Sequence, residues 1–239
     1  MTSESSLALT IDVDWAPDAV LADTISLIDG AGLSATIFAT HATTVLDGLD
    51  PNRFEVALHP NLNPALAGAE DFRAPIDRIR QLWPSACGVR SHSLVQGGPI
   101  WEYFVQCGLW WESNLLLPFA ADPFRDCSGM VRVPFGWSDY CTLWSGNPFD
   151  MPRISGATEG TGVFAFHPIH IYLNSEERTR YDKARPHYKD PEVLEALRHR
   201  GPAPGARDAL LALMAMARAA QRPSVTLSSL ALSADGLAV

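Results

Sequence analysis

Apolar positions along the chain alternate between two periods. Leu7 to Val13 (LALTIDV) is a short apolar run that ends in acidic residues, as a buried strand does. Beyond it, Val20, Leu21, Ile25 and Ile28 recur at helical spacing with Thr24 between them, after a Pro17 suited to a first helical turn. Gly30 and Gly32 end that pattern. Ser34 to Ala39 (SATIFA) and Phe54 to Leu58 (FEVAL) read as the next two strands. Strand, helix and strand within roughly 30 residues predict a βαβ unit and a parallel sheet.

The alternation continues. Phe72 to Leu82 predicts a helix with Pro75 in its first turn, and Ile100 to Gln106 predicts another. Cys87 to Arg90, Leu109 to Trp111, Met130 to Val133 and Gly162 to Phe166 (GVFAF) predict strands. Ala206 to Ala220, rich in Ala, Leu and Met, predicts a helix, and Val225 to Leu227 a last strand. Leu115 to Thr161 is rich in Pro, Gly and Trp and gives no clear element; connections of that length are often functional. With no repeat and no linker, the pattern predicts one α/β domain over 1–239, its sheet open or closed.

Composition narrows the classes. At 239 residues, 47% hydrophobic and 19% charged, the chain can bury a large core and is not disordered. Eighteen basic against 27 acidic residues leave a net charge of -9, which disfavours a nucleic-acid partner. No apolar run reaches the roughly 18 residues of a membrane span. The start, MTSESSLALTIDVDW, has neither a basic segment nor a long apolar one, so no signal peptide and a cytoplasmic location are expected. Cys87, Cys107, Cys127 and Cys141 form no C-x-x-C pair and are expected as free thiols.

Ionisable residues recur just after strand-like segments: Asp12 and Asp14, His59, Arg90 and His167. In parallel α/β proteins, sites gather at the carboxyl ends of strands. Asp12 and Asp14, two apart on an extended chain, share a face. Such a pair suits one carboxylate on a metal and the other as a base, although Asp14 is equally suited to cap the following helix. His59 and Asn63, in HPNLN, are four apart, a common metal-ligand spacing; from the residues alone, Asn63 reads better as a turn residue before Pro64.

As an ordered set, these segments resemble the polysaccharide deacetylase family, the NodB-homology or carbohydrate esterase 4 fold. LTIDVDW resembles its first motif, GAGLSATIFAT the following strand and VALHPNLNP the second motif. GVRSHSL, VPFGWSDY and VFAFHPIH resemble the third, fourth and fifth, and SVTLSSL the closing strand. The form with HPN and FHPIHIYLN is most similar to the WbmS-like subgroup of surface-polysaccharide clusters. The resemblance implies a distorted, incomplete (β/α) barrel and a hydrolase that removes an N-acyl, chiefly N-acetyl, group from a sugar. It implies Asp12 as base, Arg90 as its partner and His167 as acid. Asp14, His59 and Asn63 would hold one divalent ion, zinc first, with Mn, Fe, Co or Ni as alternatives. Trp137 and Asp139 would contact the carbohydrate substrate, and Trp110, Trp111 and Trp144 are further candidates for apolar walls, although core packing is the better reading for most of the seven Trp. Asn63 stands where the family has a second His, so His92 or His170 is the alternative third ligand. The same departure leaves room for a catalytically inactive sugar-binding protein, and a non-sugar amide is the other alternative.

Overall fold

The computed structural model describes residues 6–118, 122–150, 154 and 162–234. Its strands are β1 (Leu7–Asp12), β2 (Ala35–Ala39), β3 (Phe54–Leu58), β4 (Gly88–Val89), β5 (Trp111–Glu112), β6 (Phe124–Arg125), β7 (Val131–Arg132), β8 (Trp137–Ser138) and β9 (Gly162–Phe166). They form a nine-stranded sheet in the order β6-β7-β5-β4-β3-β2-β1-β9-β8, in which β6 and β7 alone pair antiparallel. β6 and β8 sit at the two ends of that order, so the sheet curls into a half-barrel without closing. This is the distorted, incomplete (β/α) barrel of NodB-type deacetylases that the resemblance implied.

β1 is buried along its whole length, and its one hydroxyl, Thr10, donates to the Phe164 carbonyl of the neighbouring β9. Two-sided burial explains why LALTID is continuous rather than alternating. The predicted helix is α1 (Asp18–Gly30), with Pro17 just outside it, and Val20, Leu21, Thr24, Ile25 and Ile28 all buried. The remaining helices are α2 (Asn63–Leu66), α3 (Arg73–Leu82), α4 (Gly98–Gln106), α5 (Asp139–Ser145), α6 (Pro168–Leu173), α7 (Arg178–Ala184), α8 (Pro191–Leu197), α9 (Ala206–Ala219) and α10 (Leu227–Ala234).

Leu9, Ile11 and Phe166 pack under α1, α6 and α9, while Ala8, Phe38 and Trp111 pack on the other face beside Leu227. Leu58, Ile76, Val89 and Phe104 fill a third cluster. β4 must begin with glycine, because a Cβ on Gly88 would fall 1.9 Å from the Trp111 ring.

Two expectations change. Cys87 to Arg90 shortens to the two residues of β4, and Val225 to Leu227 is not a strand. Only Ser224 bridges to Leu7, after which Leu227 opens α10. The free N–H groups of that turn are taken from across the fold: Leu227 N–H donates to Thr36 Oγ1 at 2.9 Å and Ser228 N–H to Glu55 Oε2 at 3.2 Å. A cap supplied by distant residues leaves no local signal. In the stretch 115–161, the described part holds β6, β7, β8 and α5. None of the described helices is long and apolar enough to cross a membrane, and all four cysteines are free thiols.

Candidate active site

Four strand ends and the loops after them build one cleft of about 540 Å³. Asp12 closes β1 and is nearly buried. Just past it the chain turns sharply, because Asp14 and Trp15 both take left-handed backbone angles, φ 45° and 57°. Such angles are costly for a bulky residue such as Trp and persist where surrounding contacts hold them. One such contact is the Tyr188 hydroxyl, which donates to the Asp14 carbonyl at 2.8 Å.

His59 follows β3 and is buried. Its Nδ1 lies 2.6 Å from the Arg90 carbonyl oxygen, which can only accept, so Nδ1 carries the proton. Nε2 then faces Asp14 Oδ1 at 3.1 Å. His92 Nδ1 approaches the same oxygen at 3.0 Å. Donor atoms of Asp14, His59 and His92 all lie within 4.8 Å of one another. A bare imidazole nitrogen and a carboxylate oxygen this close need a proton or a cation between them. Two imidazoles and a carboxylate are also the donor set that suits zinc and its neighbours. The residues present therefore fit a divalent ion. Burial alone would raise the Asp14 pKa, but the hydrogen bonds to His59 and His92 and the charge of His167 outweigh it and hold the carboxyl far below the usual range.

Arg90 is fully buried, sandwiched between the Phe38 and Phe135 rings at 4.3 and 4.4 Å. Its Nη1 donates to Asp12 Oδ1 at 2.7 Å and to Thr10 Oγ1, while Nε and Nη2 donate to the carbonyl and hydroxyl of Ser113. Burial pulls the Arg90 pKa down from its usual value, and the charges of Asp12 and Glu112 work against that pull. Asp12 is thus pinned by one oxygen, and Oδ2 is left toward His167.

His167 ends β9 and opens α6. Its ring Nδ1 and its backbone N–H reach the two oxygens of the fully buried Asp139, at 2.7 and 2.8 Å. Nε2 points into the cleft, 4.0 Å from Asp12 Oδ2 and 3.7 Å from Asp14 Oδ2. Burial alone would lower the His167 pKa; the charge and hydrogen bond of Asp139, then Asp14 and Asp12, overcome it and push it up to about 10. His170 lies beside it, ring centroids 5.6 Å apart, and is 4% exposed. Burial lowers the His170 pKa to about 4.

The structure brings together Asp12, Asp14, His59, Arg90 and His167, as the spacing of strand ends led one to expect. Asn63 stands outside: it is exposed, and its amide donates to Ser93 Oγ at 3.1 Å. His92, two residues past Arg90, has the place expected for Asn63. Trp137 is not at the cleft either, but packs on Phe149, Phe164 and Phe166. Asp139, expected to touch substrate, is buried under His167 instead. Trp111 is core, Trp110 packs beside it, and Trp144 alone of the named tryptophans lines the cleft. His170 makes a long 3.4 Å contact with Ser175 Oγ and is not among the converging donors. Tyr188 and Tyr140 were missed, since neither lies at a strand end.

A family model described as WbmS-like polysaccharide deacetylase matches residues 9–185. A crystal structure from Bordetella bronchiseptica, of a protein described as a polysaccharide deacetylase involved in O-antigen biosynthesis, is 40% identical. The match covers 89% of this chain and 91% of that one, with a TM-score of 0.82. A protein from Mycobacterium smegmatis, described as a polysaccharide deacetylase, shares the fold at 16% identity and a TM-score of 0.60, over 99% and 93% of the two chains. The peptidoglycan deacetylase PdaC of Bacillus subtilis does so at 14% and 0.53, over 95% and 90%. No curated protein matches the chain by sequence.

Proposed function

This chain belongs to the WbmS-like polysaccharide deacetylases, and from that premise we propose that it is a metal-dependent deacetylase removing an N-acetyl group from a sugar of a surface polysaccharide or its precursor. One observation carries the reading. A carboxylate oxygen left free by its arginine and an imidazole Nε2 face each other at 4.0 Å, beside three converging metal donors.

Asp14, His59 and His92 would hold the ion. Bound there, a divalent cation polarises the acyl carbonyl and lowers the pKa of an attacking water. Asp12 Oδ2 takes the proton of that water, and the Arg90 hydrogen bond to Oδ1 keeps Asp12 correctly turned. His167 Nε2 gives a proton to the departing nitrogen as the carbon–nitrogen bond breaks. Asp139 fixes the ring with Nδ1–H inward and supports the charged imidazole, as the carboxylate of a hydrolase triad does. The products are a free amine on the sugar and acetate. His92 in the cluster offers a second imidazole beside Asp14 and so supports catalysis over an inactive sugar-binding protein.

The test is elemental analysis of protein purified without added metal, followed by acetate release from a panel of N-acetyl sugars. Release that a chelator abolishes and zinc restores supports the reading. Full release by metal-free protein, or none from any sugar with metal bound, sinks it.

A further inference from the structure

The outer half of the cleft holds groups that the hydrolytic chemistry does not use. Tyr140 and Trp144, one turn apart on α5, stack with centroids 6.4 Å apart and planes 26° from parallel. They are 51% and 63% exposed, an unusual state for two large rings unless something covers them. The Tyr140 ring is 6.0 Å from that of His167, so this platform begins at the reacting end of the cleft. At its far end, the Arg178 guanidinium lies over Trp144 at 4.7 Å. Arg185, two helical turns further along the same wall, also lines the cleft, and its side chain has no hydrogen bond or ion pair among the described residues. The acid between them, Asp182, reaches only Arg178 and at 3.9 Å, with both side chains more than half exposed.

Two guanidinium groups, one with no acid partner among the described residues and one with only the long, exposed Asp182 contact, therefore border a cleft whose floor is acidic, in a chain of net charge -9. A neutral sugar can accept hydrogen bonds from them but gains no charge pairing, which is where a guanidinium contributes most. An anionic substrate meets long-range repulsion from such a protein and needs cations at the place where it docks. Guanidinium is the group whose planar fork matches phosphate and carboxylate oxygens, and contact with Trp144 already orients Arg178.

We propose that Arg178 and Arg185 form a subsite for an anionic group, so that the substrate is an N-acylated sugar carrying a phosphate or a carboxylate, its apolar ring face against Tyr140 and Trp144. The assignment of that sugar as substrate rests on the hydrolase reading; the anion subsite itself is read out by binding alone.

The experiment is calorimetric binding to the full chain, at low and high salt. The ligands are N-acetylglucosamine, its 1-phosphate, its UDP-linked form and an N-acetylated aminouronic acid. At least one anionic ligand should bind roughly 10-fold or more tightly than the neutral sugar, as charge-assisted pairing implies, and salt should erode the difference. The phosphate and uronate arms tell the two anions apart. Arg178→Gln with Arg185→Gln should abolish the preference, and Arg178→Lys with Arg185→Lys should keep most of it. Equal affinity for neutral and anionic ligands, binding of none, or a preference that survives the Gln pair overturns the proposal. Acetate release from the same ligands separates the two readings. No turnover with the binding preference intact faults the hydrolase; turnover of neutral and anionic sugars alike faults the subsite.

Discussion

Asp139 grips His167 twice, through the ring Nδ1 at 2.7 Å and the backbone N–H at 2.8 Å, and does so without any exposure to water. The first bond chooses which ring nitrogen meets the substrate, and the second fixes where the ring stands relative to β9. Asp139→Asn keeps the shape but presents an amide that can favour the wrong tautomer. It should lower kcat by roughly 10²–10⁴-fold while KM and metal content stay near those of the parent. Steady-state kinetics with elemental analysis checks this, and an unchanged kcat removes the role.

The metal cluster separates His92 from Asn63. His92→Ala should lose the ion, as should Asp14→Ala and His59→Ala. Asn63→Ala should keep it, because the Asn63 amide is bonded to Ser93 rather than turned toward Asp14. Zinc titration of the four variants is decisive. A normal affinity in His92→Ala, with loss in Asn63→Ala, would reverse the assignment.

Arg90 and Asp12 form a buried pair, and removing one partner strands the other. Arg90→Met should destabilise the protein by about 3–5 kcal/mol in denaturant unfolding. Asp12→Asn in that background should recover part of the loss. Asp12→Asn alone should retain the metal and lose about 10²–10⁴-fold in rate, the usual worth of a general base. If Asp12→Asn loses its metal instead, Asp12 is a ligand and not the base.

His170 makes stability fall in acid. Its folded pKa of about 4 lies below the ordinary 6.5, so as pH drops the unfolded chain takes the proton first. Stability is intact above about 6.5 and is lost between there and 4, by roughly 3 kcal/mol at the lower end. His170→Gln lacks this proton uptake, so parent and variant should converge in unfolding midpoint as pH falls from 7 to 4. Parallel pH profiles would contradict the buried, neutral state.

Gly88 and Trp111 meet where a Cβ would stand 1.9 Å from the indole. Gly88→Ala should cost roughly 1–3 kcal/mol by overpacking. A second change, Trp111→Leu, should recover part of it. An additive double variant would mean that the contact is not the cause.

The sequence made the central strands legible because β1, β2, β3 and β9 are apolar runs that end in a polar residue. The ends of β1, β3, β4 and β9 held Asp12, His59, Arg90 and His167, so most of the site followed from the strands. What stayed open was the role of some of these residues. The sequence offers His92 only as an alternative third ligand and Asp139 only as a substrate contact, because both follow a strand end, where folded loop geometry decides which side chain turns inward. The left-handed angles at Ser93 and Leu94, φ 58° and 57°, belong to no residue type that signals them. Trp137 misled because a tryptophan in a motif and a tryptophan in a core look alike along a chain. α10 was hidden because Thr36 and Glu55 supply its first bonds from strands far away in sequence.

The Tyr188 hydroxyl holds the Asp14 carbonyl across 174 positions of sequence. This ties the birth of the site to the order in which the chain is made. Asp14, His59 and His92, the proposed ligands, leave the ribosome early. The left-handed turn that aims Asp14, however, waits for a tyrosine from the last quarter of the protein. Long loops must close before that contact forms, so the turn is among the last parts of the fold to set. On the proposed ligand set, a nascent chain would therefore be spared a finished metal centre until almost all of its barrel surrounds it.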